Sequence, residues 1–240
     1  MLNPTLDIDA IAARLRDSGR VLIRDVLNPE IAEQCYDCLR EEVPWRLAYR
    51  DTRVSGSNQE QQLTQEQFRS LGPRKAAALR MQVYQQATDH YQYLYQQFNI
   101  GGGQQTGEPP GLLLYELFDY LRGAEFMDVA RTLTGDTEIN DVYAHATMYT
   151  AGNFLKLHED VTDTDDRRFA YVIGFTRDWQ ADMGGLTHFL DATGSVIDTF
   201  VPDFNTLTIF AVPVSHLVSQ VSPWVRHKRL SVTGWLTVTS

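Results

Sequence analysis

The run DVYAHATMYTAGNFLKLHED, residues 141–160, splits at Ala-Gly-Asn into two segments, DVYAHATMYT and NFLKLH, each rich in aromatic and apolar residues. Neither is long enough for a typical helix, and both are bounded by turn residues, so the pair reads as two strands. The same texture repeats downstream in RFAYVIGFTR, LTHFLD, SVIDTFV, TLTIFAV, HLVSQV and RLSVTGWLTV, separated by Gly, Pro, Asn and Asp. Many short strands without intervening helices predict an antiparallel sandwich or barrel from about Glu138 onward. No repeat of solenoid type is visible.

Upstream the pattern changes to a helical one. Ile8, Ile11, Ala12 and Leu15 recur at helical spacing, with Gly19 placed to end the helix. RVLIRDVL (20–27) reads as a short strand, and Pro29 opens a helix that carries Cys35 and Cys38 on its apolar face. The glutamine-rich stretch 51–67 is expected as a mobile loop. Residues 75–98 are expected as one long helix, and GGGQQTGEPPG (101–111) as a flexible break. Two short helices follow, in LLLYELFDYLR and AEFMDVARTLTG. The expectation is an α+β chain, with a mostly helical region 1–137 supporting a β region 138–240 as one cooperative domain.

Composition narrows the partners. At 240 residues, 43% hydrophobic and 22% charged, the chain has the makeup of an ordinary globular protein. Its net charge of −10, from 31 acidic and 21 basic residues, argues against a broad nucleic-acid or anionic-membrane surface. No stretch has the length and apolarity of a bilayer span, and the first residues do not resemble a secretory signal. One close cysteine pair is at most half a structural zinc site, so buried, reduced cysteines and a cytoplasmic setting are expected. Oligomeric state is not legible.

The chemistry concentrates in NFLKLHED. On an extended strand alternate side chains share a face, so Phe154, Lys156, His158 and Asp160 fall together and Glu159 points away. His158 and Asp160 can then meet on one metal ion. His216, after another β run, supplies a third donor. Two histidines and one carboxylate make the facial triad of non-haem Fe(II) oxygenases, which leaves three coordination positions open. HExxH, the zinc-hydrolase signature, is absent, because Thr162 stands four residues after His158. In RHKRLSVTGWL, Arg229 and Ser231 share one strand face, where a guanidinium fork and a hydroxyl can hold a carboxylate. A dicarboxylic co-substrate such as 2-oxoglutarate needs that at its far end.

Taken in order, several pieces resemble the Fe(II)- and 2-oxoglutarate-dependent dioxygenase superfamily, and within it the prolyl 4-hydroxylase-like branch. They are Tyr149 to Asp160, Arg167 or Arg168 to Trp179, Gly184 to Leu186, Asn205 to Phe210, Ser215 to Val218 and Arg229 to Leu236. The resemblance implies a double-stranded β-helix (jelly-roll, cupin-like) core with iron on His158, Asp160 and His216. It assigns Arg229 to the distal carboxylate of 2-oxoglutarate, with Tyr149, Ser231 and Thr208 as further co-substrate contacts. The interval from His216 to Arg229 is wider than the branch's usual one, which leaves Arg226 as a substitute. The implied cofactors are Fe(II), 2-oxoglutarate and O2, with ascorbate as a supporting reductant. The implied reaction hydroxylates an aliphatic C–H of a peptidyl or small-molecule substrate, a prolyl residue or an amino acid, releasing succinate and CO2. Asp160 itself favours hydroxylation, since halogenating branches carry a small residue there.

Two other readings stand beside this one. The same chemistry serves desaturation or cyclisation in natural-product tailoring, and a non-catalytic cupin-type protein would bind a metal or a small acid. Elsewhere, His145 and His188 are expected as core or pocket-lining residues, His90 and His227 at the surface, and Trp179 and Trp235 in packing. Lys156 is expected at the substrate entrance, and Asp163, Asp165 and Asp166 in a solvated loop at the pocket mouth.

Overall fold

The computed structural model describes residues 1–161 and 167–239. The helices are α1 (Ile8–Ser18), α2 (Pro29–Glu41), α3 (Gln65–Ser70), α4 (Gly72–Asp89), α5 (Ile100–Thr106), α6 (Leu113–Arg122) and α7 (Ala124–Thr134). Four strands lie among them: β1 (Arg20–Arg24), β2 (Arg46–Arg50), β3 (Glu60–Thr64) and β4 (Tyr93–Asn99). The remainder is β5 (Asp141–Tyr149), β6 (Phe154–His158), β7 (Arg167–Phe175), β8 (Thr187–Leu190), β9 (Val196–Phe200), β10 (Phe204–Ala211), β11 (His216–Val218) and β12 (Arg229–Thr237). Each of the eight β runs expected after Glu138 is a strand.

The strands pair in the order β1-β10-β7-β12-β5-β4-β6-β11-β8-β9, with the β2–β3 hairpin attached through β2 to β4. Arg20 at one end of this path reaches Asp198 at the other, 3.0 Å away, so the sheet curls into a nearly closed barrel. The architecture is a mixed helical and antiparallel one, consistent with the expected double-stranded β-helix core. Helices α1, α2, α6 and α7 cover the outer face of the large sheet. There Leu15, Leu39, Leu117 and Leu133 pack with Val142, Ile173, Val232 and Leu236 in one core. Burying such side chains contributes about 1.5–3 kcal/mol each. Cys35 and Cys38 are free and buried in that core, and burial pushes their thiols up to about 12 and about 11. Thiols held protonated in this way are inert packing groups.

The sequence reading needs correction in three places. The helix expected over 75–98 stops at Asp89, and the chain continues as β4. Tyr91, Tyr93 and Tyr95 alternate with period two, a strand pattern, and β4 is fixed by antiparallel pairing with β5 and β6. The loop expected over 51–67 holds β3, paired to β2, and a helix start capped reciprocally by Thr64 and Gln67. The break at 101–111 begins with α5, whose N-terminus is capped by Asn99. At Gly234 the backbones of β12 and β5 approach so closely that a Cβ would stand 1.7 Å from the Tyr143 carbonyl oxygen. No helix among the described residues is long and apolar enough to cross a membrane.

Candidate metal centre

His158 and His216 face each other across two strands. β11 pairs antiparallel with β6 in a register that sets His216 opposite His158, with ring centroids 4.1 Å apart. Each Nδ1 lies 2.9 Å from the carbonyl oxygen two residues earlier, Lys156 for His158 and Val214 for His216. A carbonyl only accepts, so each Nδ1 carries the proton and each Nε2 turns a lone pair inward. The Asp160 carboxylate completes the set, with Oδ1 3.4 Å from His158 Nε2 and Oδ2 3.4 Å from His216 Nε2. This is the one group of three or more potential metal-ligating side chains among the described residues.

Strand alternation is not what assembles them. The β6–β11 register shifts between His216 and Val218, so that Val218 pairs with Leu155. As a result Leu155 and His158, three residues apart, both line the cavity. Lys156 turns the other way, and its Nζ donates to the Ala87 and His90 carbonyls at the end of α4 rather than standing at the entrance. Asp160 lies beyond the strand with φ 60°, a left-handed conformation that brings its carboxylate back toward the histidines. The Glu159 carboxylate accepts a hydrogen bond from the Ser215 hydroxyl at 2.7 Å and stays out of the triad.

The electrostatics suit a cation. Burial opposes ionisation of Asp160, but His158 and His216 beside it outweigh that, so the carboxyl is held down to about 2. Burial, then the neighbouring His158, pulls His216 down to about 4, against the pull of Asp160. At neutral pH His216 is therefore a neutral imidazole beside a carboxylate, as a metal ligand must be.

The triad opens into a cavity of about 1510 Å³ that also holds Tyr149, Thr187, Arg229 and Ser231. Arg229 is 5% exposed; one nitrogen donates to the Gly185 carbonyl and another to Thr187 Oγ1 at 3.1 Å. No carboxylate among the described residues pairs with it, and burial lowers its pKa, partly offset by Tyr149. Its guanidinium carbon stands 5.1 Å from the Tyr149 ring centre. Arg226, the alternative, is exposed. Ser231 Oγ and Thr147 Oγ1 share a 2.6 Å hydrogen bond on the cavity floor. Thr208 is buried on β10 and lines a small separate crevice with Arg229 and Ser231, not the main cavity.

Sequence reasoning missed one wall of this cavity. Tyr91, Tyr93, Tyr95 and Tyr149 form a continuous row, with successive ring centroids 6.0, 5.4 and 5.1 Å apart. It starts 5.8 Å from His158 and ends under Arg229. The signal was the period-two tyrosine spacing, read as helix. His145 lines the cavity as expected, while His188 bonds Thr199 at 2.8 Å away from the triad. Trp179 is partly buried and donates from its indole nitrogen to the Gly184 carbonyl at 2.8 Å, a packing role. Asp163, Asp165 and Asp166 lie outside the described residues.

A sequence model of the 2OG-Fe(II) oxygenase superfamily matches residues 144–237, which hold all three members of the triad and Arg229. Over those residues the chain is similar to the 2OG-Fe(II) oxygenase superfamily. The superfamily implies Fe(II), 2-oxoglutarate and O2. Similar folds include a prolyl-4-hydroxylase from Pseudomonas putida, 17% identical, with a TM-score of 0.58 over 97% of this chain and 100% of that one. An oxidoreductase of the 2OG-Fe(II) oxygenase family from Burkholderia pseudomallei is 15% identical, with a TM-score of 0.59 over 100% and 94%. A prolyl hydroxylase from Trichoplax adhaerens, solved with a hypoxia-inducible-factor peptide fragment, is 13% identical, with a TM-score of 0.59 over 96% and 89%. At these identities the likeness shows the fold. A search of curated proteins gives no significant match.

The residues present fit the implied groups. Two imidazole Nε2 atoms and a carboxylate are the donor set of a facial triad, and a buried guanidinium without a carboxylate partner suits the far end of a dicarboxylate.

Proposed function

We propose that the protein is an Fe(II)- and 2-oxoglutarate-dependent hydroxylase of an aliphatic C–H, acting on a peptidyl prolyl or amino-acid-like substrate. Substrate, 2-oxoglutarate and O2 would become hydroxylated product, succinate and CO2. The observation that carries the reading is that the His158–Asp160–His216 triad and the acid-free Arg229 share one cavity.

His158, Asp160 and His216 would hold the iron, which supplies the oxidising chemistry when bound. Arg229, with Thr187 and Ser231 beside it, would take the distal carboxylate and so orient 2-oxoglutarate toward the triad. Tyr149 would pack on the co-substrate's methylene stem, and the tyrosine row would keep that side of the channel dry. An intact carboxylate at Asp160 supports hydroxylation over halogenation, and a complete triad with its arginine argues against a non-catalytic cupin. Ligand pockets run to about 300–1,000 Å³. A cavity of about 1510 Å³ exceeds what 2-oxoglutarate and a free amino acid need, which favours a substrate presented within a larger molecule.

Two measurements test this. Anaerobic titration with Fe(II) and 2-oxoglutarate should give a visible metal-to-ligand charge-transfer band that His158→Ala abolishes. Succinate release over a panel of prolyl peptides and free amino acids should then be stimulated by peptides. No band in the wild-type protein would refute the assignment.

A further inference from the structure

Asp160 is the least supported member of the triad by backbone alone. It lies past the end of β6, outside the strand's ladder, and in a left-handed conformation that non-glycine residues adopt sparingly. Two side chains converge on it from elsewhere. Arg167, the first residue of β7, donates from Nη1 to the Asp160 carbonyl at 3.3 Å. The same guanidinium lies 3.6 Å from the centre of the Trp235 ring, a close cation–π contact. Trp235 on β12 is held by its register with Tyr143 on β5 and Ala170 on β7. Its buried Nε1 has no hydrogen-bond partner among the described residues, and the guanidinium that covers its ring is the one bonded to Asp160.

We propose that Arg167 and Trp235 are positioning residues that brace Asp160, Arg167 holding its backbone and Trp235 its carboxylate, stacked on each other so that neither moves alone. This rests on the reading of His158, Asp160 and His216 as the metal site. A buried indole N–H left unpaired is costly, and a ligating carboxylate needs a donor for the oxygen that the metal does not take. One arrangement answers both needs. Trp235 is then part of how the site is organised, beyond the packing role that its sequence position suggests.

The test uses the full chain, free of metal, titrated with Co(II) as a redox-stable probe. Dissociation constant, visible d–d spectrum and metal-free unfolding midpoint are read together. Trp235→Phe keeps the ring and removes only the N–H. It is expected to weaken Co(II) binding about 10- to 100-fold, the usual range for an outer-shell partner, and to shift the d–d band while the metal-free midpoint holds. Arg167→Ala should do the same, and Arg167→Lys, which keeps a cation able to reach the carbonyl, should recover part of the affinity. Unchanged Co(II) affinity and spectrum in Trp235→Phe and Arg167→Ala would overturn the brace. So would a fall in metal-free stability with the spectrum unmoved, which would make both residues packing groups. Failure of the wild-type chain to bind Co(II) would overturn the metal-site reading itself, a distinct result.

Discussion

Arg229→Met isolates the charge at the far end of the cavity while preserving much of the stem's volume. The guanidinium is nearly fully buried, bonded only to the Gly185 carbonyl and the Thr187 hydroxyl, with no carboxylate of the described residues against it. Removing one partner of a buried charge pair costs about 2–5 kcal/mol. Taking about 2.7 kcal/mol, 2-oxoglutarate affinity should fall about 100-fold. The loss can be read from thermal unfolding in the presence of Mn(II). At a 2-oxoglutarate concentration of about 100 times the wild-type Kd, ligand binding stabilises the wild type by about 2.7 kcal/mol, and the variant, then at about its own Kd, by about 0.4 kcal/mol. For a chain of this size those values correspond to an upshift of roughly 5–10 °C against about 1 °C. Without ligand the variant should melt no lower than the wild type, because a desolvated charge with no opposite partner has been replaced by an apolar side chain. Arg229→Lys should fall between, keeping the charge and losing the fork. A Met variant with the full ligand-induced upshift would refute the assignment. A variant that lost Mn(II) binding as well would show Arg229 to be structural.

Glu159→Ala should leave the Mn(II) dissociation constant within about twofold, as for a surface change, whereas Asp160→Ala should abolish binding; titration calorimetry separates the two. Burial pulls His145 down to about 4, with Asp160 opposing and Arg167 assisting. The unfolded chain therefore binds the extra proton between about 4 and the ordinary histidine value of 6.5. This contribution is fully present above about pH 6.5 and lost as pH falls toward 4, on the order of 3 kcal/mol. His216, pulled down to about the same value, adds a like contribution, so urea unfolding of the metal-free protein across that window should show the slope of both and His145→Phe should remove about half of it. Gly234→Ala should yield little folded protein, because its Cβ would meet the Tyr143 carbonyl at 1.7 Å; expression and circular dichroism report this.

The eight downstream strands were legible from local pattern alone, short apolar runs with turn residues between them, even though among them only β8 and β9 are consecutive partners in the sheet. The first half was legible where helices carry caps, as at Asp7 and Gly19 around α1 and at Asn28 and Pro29 opening α2. It failed at 93–99. There Ala- and Gln-rich flanks gave a helical reading, and the competing term was pairing with β5 and β6, strands about 50 residues or more away in sequence. The structure brings His158, Asp160, His216 and Arg229, each singled out from the sequence, into one cavity. The reason given for the first two was incomplete, however. Alternation along an uninterrupted β6 would put Lys156 in the cavity, where the structure has Leu155, and neither the register shift nor the left-handed turn at Asp160 has a signature in a single sequence.

The division of labour within the cavity follows from where its walls come from. The matched segment 144–237 supplies His158, Asp160, His216 and Arg229, the groups suited to metal and co-substrate. Tyr91, Tyr93 and Tyr95, with Glu60 and Gln62 beyond them, lie outside that segment, on β3, β4 and the approach to β4, yet they line the same cavity. β4 reaches it because it is inserted between β5 and β6, so the upstream half of the chain is built into the cavity-lining sheet rather than laid over it. Two proteins can therefore share the matched segment and differ over the whole face that a substrate would meet. Exchanging Tyr91 and Tyr93 for Leu tests this division. The change should leave Mn(II) and 2-oxoglutarate binding near wild-type values, since neither ring bonds the triad or Arg229, and alter which peptides stimulate succinate release. Equal loss of co-substrate binding and of peptide response would place the tyrosine row in the machinery that the matched segment is taken to hold alone.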